Sequence, residues 1–582
     1  MNDSLTTIRA RIHDGAIKRV TRTFAATLGD VFTELLQNAR RADAARVRVG
    51  VTGPGAGPCT VTVTDDGSGI IDPGVLLSIG ESGWTDALTV REDAAGMGML
   101  SLARRGGTVA ARPRTFDGDP APGWRVTLAP EHFLGEAEAE VRPDDTAPWP
   151  YGTRITFETT GVETADAVRT ALAAAARHYP LPVVFEHRPQ TPPEGEVLER
   201  RAFLDGAVHV ERWRGVVFGV FRDRAHGLRL PDPDVNFHGA TVAVRLPAVE
   251  SVHGVRWTVA ADVEDCPELE FVLPARKEAV ETPFLAALRD AARRALYRAM
   301  AMDPDPRPAF EDRKRAHEAD IDIAVPPAAL QPWRAGLADL DDWREAPKRT
   351  PVGTDALLVV CDPEPPEAQA LARAAARNAL TERLFAPDRR LEGYAWYDRI
   401  ARVEDFRTEV IIDGHPCALD ALPRPAPTGA PEAPRPICPD ALFLHLAVHP
   451  PEGPGHVLDL PTDLAFAGDA WAWVGDARPL VTADSTLTPW QLAEHLRAAF
   501  FSPSDDADAD SWERQRADFD TEALHLATRL LVSDDEARRM SIADAVVRTL
   551  FWVIPRDRAV DIAVRDRKVT VTLGEVAEAV TS

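Results

Sequence analysis

Between Thr27 and Ala45 apolar side chains recur at Leu28, Val31, Phe32, Leu35, Leu36 and Ala39, the three-and-four spacing of one helix face. The period then changes to two. RVRVGV (46–51) and CTVTVTDDG (59–67) alternate as half-buried strands do, and WRVTLAP (124–130) and GTRITFET (152–159) repeat the pattern. For residues 1–160 this predicts a sheet covered on one face by helices. A second unit, 161–305, opens on the Ala-rich helix TADAVRTALAAAARHY and runs through VERWRGVVFGVF. It closes on ELEFVLP and the helix TPFLAALRDAARRALYRAM. DALLVVCDP and EAQALARAAARNAL predict a strand and a helix, so 306–422 reads as an α/β region. Residues 423–439 hold seven prolines in seventeen and read as a linker, followed by a mixed α/β region over 440–582.

Composition narrows the classes. The chain has 582 residues, enough for three to four domains, and a formal charge of −25. Nucleic-acid affinity draws on clustered positive charge, so nucleic acid is the less favoured partner. The first fifteen residues contain no apolar leader and no apolar run nears 18 residues, so no membrane segment is expected. The five cysteines form no CxxC pair, which argues against a zinc module and a disulfide framework and for a cytoplasmic setting. Eight of the thirteen tryptophans fall in 306–582, where burial in the core is the expectation; the acidic tract at 505–510 is expected to be solvated.

Four short segments carry candidate chemistry. Glu34 and Asn38 stand four apart on the predicted helix, on one edge of its apolar stripe. A carboxylate there can deprotonate a water, and an amide oxygen can hold a hydrated Mg²⁺. Asp65-Asp66-Gly67-Ser68-Gly69-Ile70 follows a strand directly; its glycines allow a sharp turn, and an Asp before them can accept from an exocyclic amine. Gly96-Met97-Gly98 opens a predicted helix running to about Arg105 that includes Ser101, an entry suited to phosphates. No GxxxxGK[ST] motif is present, so this is not a P-loop. Last, Thr153 in Tyr151-Gly152-Thr153 would support the Asp65 end of a pocket.

In this order the four segments resemble the GHKL superfamily, which includes gyrase, the 90-kDa heat-shock chaperone, histidine kinases and MutL. The resemblance covers roughly residues 20–160. It implies an α+β fold: a Bergerat-type α/β sandwich that binds ATP, a middle α/β domain like that of the chaperone and MutL, and an unassigned mixed α/β C-terminal region. By the same resemblance Glu34 is the general base and Asn38 the Mg²⁺ ligand. Asp65 reads the adenine amine, with Gly67, Gly69 and Ile70 forming its turn and Thr153 backing the base through water. Gly96, Met97, Gly98 and Ser101 embrace the phosphates, and residues 80–95 form a lid hinged at Gly80 and Gly83.

RHYPLPVVFEH (177–187), GATVAVRLP (239–247) and ELEFVLPARKEAVE (268–281) resemble the middle region of the chaperone and MutL, with Arg276 or Lys277 reaching the γ-phosphate. Histidine kinases usually carry Asn where Glu34 stands, and His13 is too close to it for a phospho-acceptor hairpin. One departure stands out. Where the family often continues N-x-x-D-A, this chain places Arg41, which shares the edge of Glu34 and Asn38 and would pair with Glu34 or approach a phosphate. The expectation is a slow Mg-dependent ATPase acting as a chaperone-like conformational clamp, with a protein client or partner gripped through 306–582 and a possible homodimer. The alternatives are a MutL- or MORC-like DNA-associated ATPase and a non-hydrolysing ATP sensor in a signalling or defence complex.

Overall fold

The computed structural model describes residues 27–53, 58–78, 84, 98–114, 121–144, 151–160, 163–187, 195–224, 234–252, 254–272, 278–335, 348–377, 379–419, 422, 438–467, 474, 477–504, 506, 510–533, 535–536, 539–540, 542–543, 558–565 and 568–575. It is a mixed α/β chain with several sheets, divided into two compact units, Met1–Pro326 and Pro327–Ser582.

The first unit is built on helix α1 (Leu28–Arg41). Thr27 caps it: its hydroxyl accepts from Asp30 N–H at 3.3 Å, while the Asp30 carboxylate accepts from Thr27 N–H at 3.0 Å. The apolar stripe read from the sequence lies fully buried on an eight-stranded sheet. Its strands are β1 (Val47–Thr52), β2 (Thr60–Asp65), β3 (Gly107–Arg112), β4 (Trp124–Leu128), β5 (Val141–Pro143), β6 (Gly152–Glu158), β7 (Val183–Glu186) and β8 (Glu196–Val197). They lie in the order β5-β4-β3-β6-β2-β1-β7-β8, antiparallel except where β1 meets β7 in parallel. Val47, Val49 and Val51 of β1 and Val61 and Val63 of β2 point into the core. Phe32 is 1% exposed, with its ring 6.4 Å from that of Phe157. Phe32→Ala is expected to cost about 3–5 kcal/mol of stability, read as a lower urea midpoint at unchanged slope.

A second helix of this layer, α2 (Ala165–Ala176), follows β6 in the chain. Its inner face, Ala165, Val168, Leu172 and Ala176, packs into the same core as α1, and RHYPLPVVFEH supplies β7 of the first sheet. That segment therefore belongs to the first layer, because parallel pairing with β1 leaves it nowhere else to satisfy its backbone.

The second core lies under a sheet of β9 (His209–Trp213), β10 (Val216–Arg224), β11 (Val235–Phe237), β12 (Ala240–Val242), β13 (Ala248–Glu250) and β14 (Val255–Val263). The order is β12-β11-β14-β10-β9, with β13 also on β14. Helix α3 (Pro283–Met302) covers it with Leu285, Leu288, Ala292, Ala295, Leu296 and Met300. Ala316 of helix α4 (Phe310–Glu318) and Ile321 and Ile323 join this core, so the unit extends past the expected limit at 305.

Within the C-terminal unit, strands Arg383–Phe385, Ala356–Val359, Ala401–Ile412, Ala441–His449 and His456–Thr462 form one sheet in that order, with His415–Ala418 off Ala401–Ile412. The expected strand and helix appear as Ala356–Val359 and Pro365–Ala376. Asp463, 1% exposed, takes Arg373 at 2.8 Å and Arg377 at 2.6 Å. Burial alone would raise its carboxyl; hydrogen bonds from Arg373, Ser485 and Arg377 outweigh that and hold it far below the usual carboxylate range. Trp490 is 60% exposed, against the expectation of burial, because its ring sits on the outer face of helix Pro489–Phe500. Asp506 and Asp510 are exposed. Trp471, Trp473 and the Pro-rich 423–437 lie outside the described residues. No helix among the described residues is long and apolar enough to cross a membrane.

Candidate functional site

The edge of α1 facing away from the core carries Glu34, Asn38 and Arg41, all half-buried. Over it passes the backbone of Gly98. A Cβ there would stand 2.8 Å from Glu34 Oε2 and 3.4 Å from Asn38 Nδ2, so no larger residue fits without moving the carboxylate. Two segments sixty residues apart in sequence thus meet at this point. Gly98–Leu102 is a 3₁₀ turn rather than the expected α-helix to Arg105. The chain reverses at Gly106 (φ +67°), where a Cβ would strike Leu128 O at 2.5 Å. So short an element has little dipole, and anion recognition here falls to backbone N–H groups and the Ser101 hydroxyl. Ser101 is 7% exposed, and its Oγ has no hydrogen-bond partner among the described residues. A buried orphan hydroxyl is costly unless a ligand satisfies it. Gly96 and Met97 lie outside the described residues, and of the expected lid at 80–95 only Trp84 is described.

At the end of β2 the two aspartates divide. Asp66 Oδ1 accepts from the N–H groups of Ala45 and Arg46 at 2.8 and 3.1 Å, pinning the chain between α1 and β1. Asp65 turns inward and its Oδ1 accepts from Gly67 N–H at 2.9 Å. Burial pushes the Asp65 carboxyl up from its ordinary 3.8 to about 6, against the lowering influence of the N–H groups of Gly67 and Thr153. Thr153 is buried and sits opposite Asp65 in the β2–β6 register. The turn needs both glycines. A Cβ at Gly67 would lie 2.7 Å from Ala42 O, and Gly69 has φ +71° with Arg112 O 2.6 Å from a Cβ position. Ile70 packs half-buried on the core and its carbonyl accepts from the Trp124 indole at 3.0 Å.

Arg41 makes two hydrogen bonds along α1. Its Nη1 donates to Asn38 Oδ1 at 3.3 Å and its Nη2 to Gln37 Oε1 at 3.2 Å. Gln37, only 3% exposed, donates in turn to Phe237 O at 3.5 Å, at the end of β11 in the second sheet. Tyr179 O–H donates to Leu36 O at 2.6 Å beside it. Gln37 and Tyr179 were missed in the sequence. The signal was a glutamine inside the apolar run Leu35-Leu36-Gln37, where a buried amide must find partners. Arg276 and Lys277 lie outside the described residues; the chain on either side pairs through Val272 N–H to Glu278 O and Val280 N–H to Glu270 O, both 2.9 Å.

No protein-family model matches the chain, and no curated protein matches it. Solved structures do. The MutL ATPase domain of Aquifex aeolicus complexed with ADP is similar at 14% identity over 45% of this chain and 95% of that one, with a TM-score of 0.25. The DNA gyrase B-subunit of Myxococcus xanthus is similar at 16% identity over 45% and 86%, TM-score 0.28. The N-terminal domain of a DNA repair protein is similar at 11% identity over 48% and 98%, TM-score 0.28.

The donor set also bears on metal binding. Among the described residues no group of three or more His, Cys, Asp or Glu could hold a metal ion. A divalent ion at Asn38 Oδ1 would have that amide oxygen, phosphate oxygens and water as its ligands, a set that suits Mg²⁺.

Proposed function

We propose that the first unit binds ATP at the site formed by α1, the Asp65 turn and the Gly98 turn, and hydrolyses it slowly as a GHKL-type ATPase. The observation that carries this reading is the meeting of the Gly98 backbone with Glu34 and Asn38, where a Cβ would stand 2.8 Å from the Glu34 carboxylate and 3.4 Å from the Asn38 amide. Asp65 supplies an inward carboxyl for an adenine amine, and Ser101 an unsatisfied hydroxyl for a phosphate oxygen. In the proposed reaction Glu34 takes a proton from the water that attacks the γ-phosphorus, and the terminal P–O bond breaks to leave ADP and inorganic phosphate. Asn38 is the proposed ligand for a Mg²⁺ ion that accompanies the nucleotide through hydrolysis. Arg276 and Lys277 are the proposed cations for the γ-phosphate.

The cycle is proposed to act as a conformational clamp. Gln37 and Tyr179 tie α1 to the second sheet and to the connection between α2 and β7, so a shift of the helix on nucleotide binding would be felt by both. A chaperone-like role with a protein partner gripped by the C-terminal unit fits the acidic chain better than a DNA-associated role, which would need a basic surface.

The test is equilibrium ATP binding by the full chain and by Gly98→Ala. The added methyl must displace the Glu34 carboxylate, and the expected result is at least about tenfold weaker binding, a loss of about 1.4 kcal/mol. Equal affinity for ATP in both proteins, or none in the wild type, would remove the site.

A further inference from the structure

The guanidinium of Arg41 donates to the same amide oxygen that a divalent ion would share. Its Nη1 is 3.3 Å from Asn38 Oδ1, and its Nη2 is held at 3.2 Å by Gln37, which is itself buried and bonded to the second sheet. A guanidinium stays charged at any working pH, and this one is tethered at two points rather than sweeping through solvent. A metal ion on the same oxygen, at about 2.1 Å, would sit beside a fixed like charge. Glu34 is the carboxylate the structure places on this edge, Asn38 is neutral, and no cluster of three or more acidic or other metal-binding side chains exists among the described residues.

We infer that Arg41 is a positioning residue that fixes Asn38 and supplies at this edge the positive charge a divalent ion would otherwise bring, so that nucleotide binding depends only weakly on Mg²⁺. The inference rests on the nucleotide reading above and adds to it the charge that meets the phosphates. Arg41 stands in the last turn of α1, on the same edge as Glu34 and Asn38 at nearly two full turns from Glu34. Gln37 adds a second bond to the fork, which narrows the rotamers open to this long side chain.

The experiment is calorimetric titration of the full chain with ATP in excess MgCl₂ and in excess EDTA, for wild type, Arg41→Gln and Arg41→Lys. For the wild type the dissociation constant is expected to change less than about threefold on chelation. Arg41→Gln, which keeps a hydrogen-bond donor but loses the charge, is expected to become Mg-dependent by about tenfold or more. Arg41→Lys, which keeps the charge but loses the fork, is expected to behave as the wild type in this respect. A wild type that loses tenfold or more in EDTA overturns the inference. So does an Arg41→Gln protein with the wild-type metal dependence, or a lysine variant as Mg-dependent as the glutamine one; in each of these cases ATP still binds and the nucleotide reading stands. Absence of ATP binding by the wild type in both buffers overturns that reading and the inference with it.

Discussion

Glu34→Gln is expected to lower Mg·ATP turnover by about 10²–10⁴-fold, the range contributed by a positioned general base, while ATP affinity stays within about threefold of wild type. The separation follows from where the carboxylate lies. Glu34 is half-buried on the edge of α1, and its Oε2 lies against the backbone of Gly98, so it borders the proposed phosphate turn without being part of the Asp65 pocket. Glutamine has the same shape and would fill the same gap under Gly98, which keeps the turn in place and removes only the ability to accept a proton. Glu34→Ala is expected to lose turnover equally but to loosen the turn, since it opens a space where the carboxylate supported the glycine. Single-turnover hydrolysis with nucleotide binding measured on each protein distinguishes the two effects. Turnover by Glu34→Gln at the wild-type rate would place the base elsewhere; ATP bound by all three proteins and hydrolysed by none would make the module a nucleotide sensor.

Local pattern carried much of this site. The stripe Leu28, Val31, Phe32, Leu35, Leu36 and Ala39 determines which side of α1 is buried, and so leaves Glu34 and Asn38 on its edge. The alternation in 59–67 likewise delivers Asp65 at the end of β2, where the glycines turn the chain. What pattern could not carry was pairing between distant segments. Nothing near residue 183 states that Val183–Glu186 will lie parallel to β1. The same holds for Gly98 over Glu34, a contact created by the whole sheet between them. Arg41 shows a third kind of gap. Helical spacing places it with Glu34 and Asn38, yet its partners were decided by Gln37, whose side chain is buried only because the second sheet arrives there.

Asp65 provides the second large effect, and one with a sign in pH. A hydrogen bond to a charged acceptor is worth about 1.5–3 kcal/mol net, so Asp65→Asn is expected to weaken ATP binding by about 10–150-fold. Because the carboxyl of the ligand-free protein titrates near 6 and the adenine amine needs its ionised form, wild-type affinity is expected to be flat above about pH 7. Below pH 6 it is expected to fall, by at most about tenfold per unit. Stability of the ligand-free protein runs the other way. A carboxyl raised from 3.8 to about 6 on folding contributes stability that is fully present below pH 3.8 and lost as the pH rises through 6. The neutral acid is therefore best for the empty fold and the anion best for the nucleotide. Binding isotherms and thermal midpoints between pH 5 and pH 8 should show these opposite slopes in the wild type and neither in Asp65→Asn. GTP is expected to bind poorly throughout, since its base presents a carbonyl oxygen where the carboxylate seeks a donor. A pH-independent affinity in the wild type, or equal affinity for ATP and GTP, would move the base out of this pocket and leave the Asp65 turn as a structural link between β2 and α1.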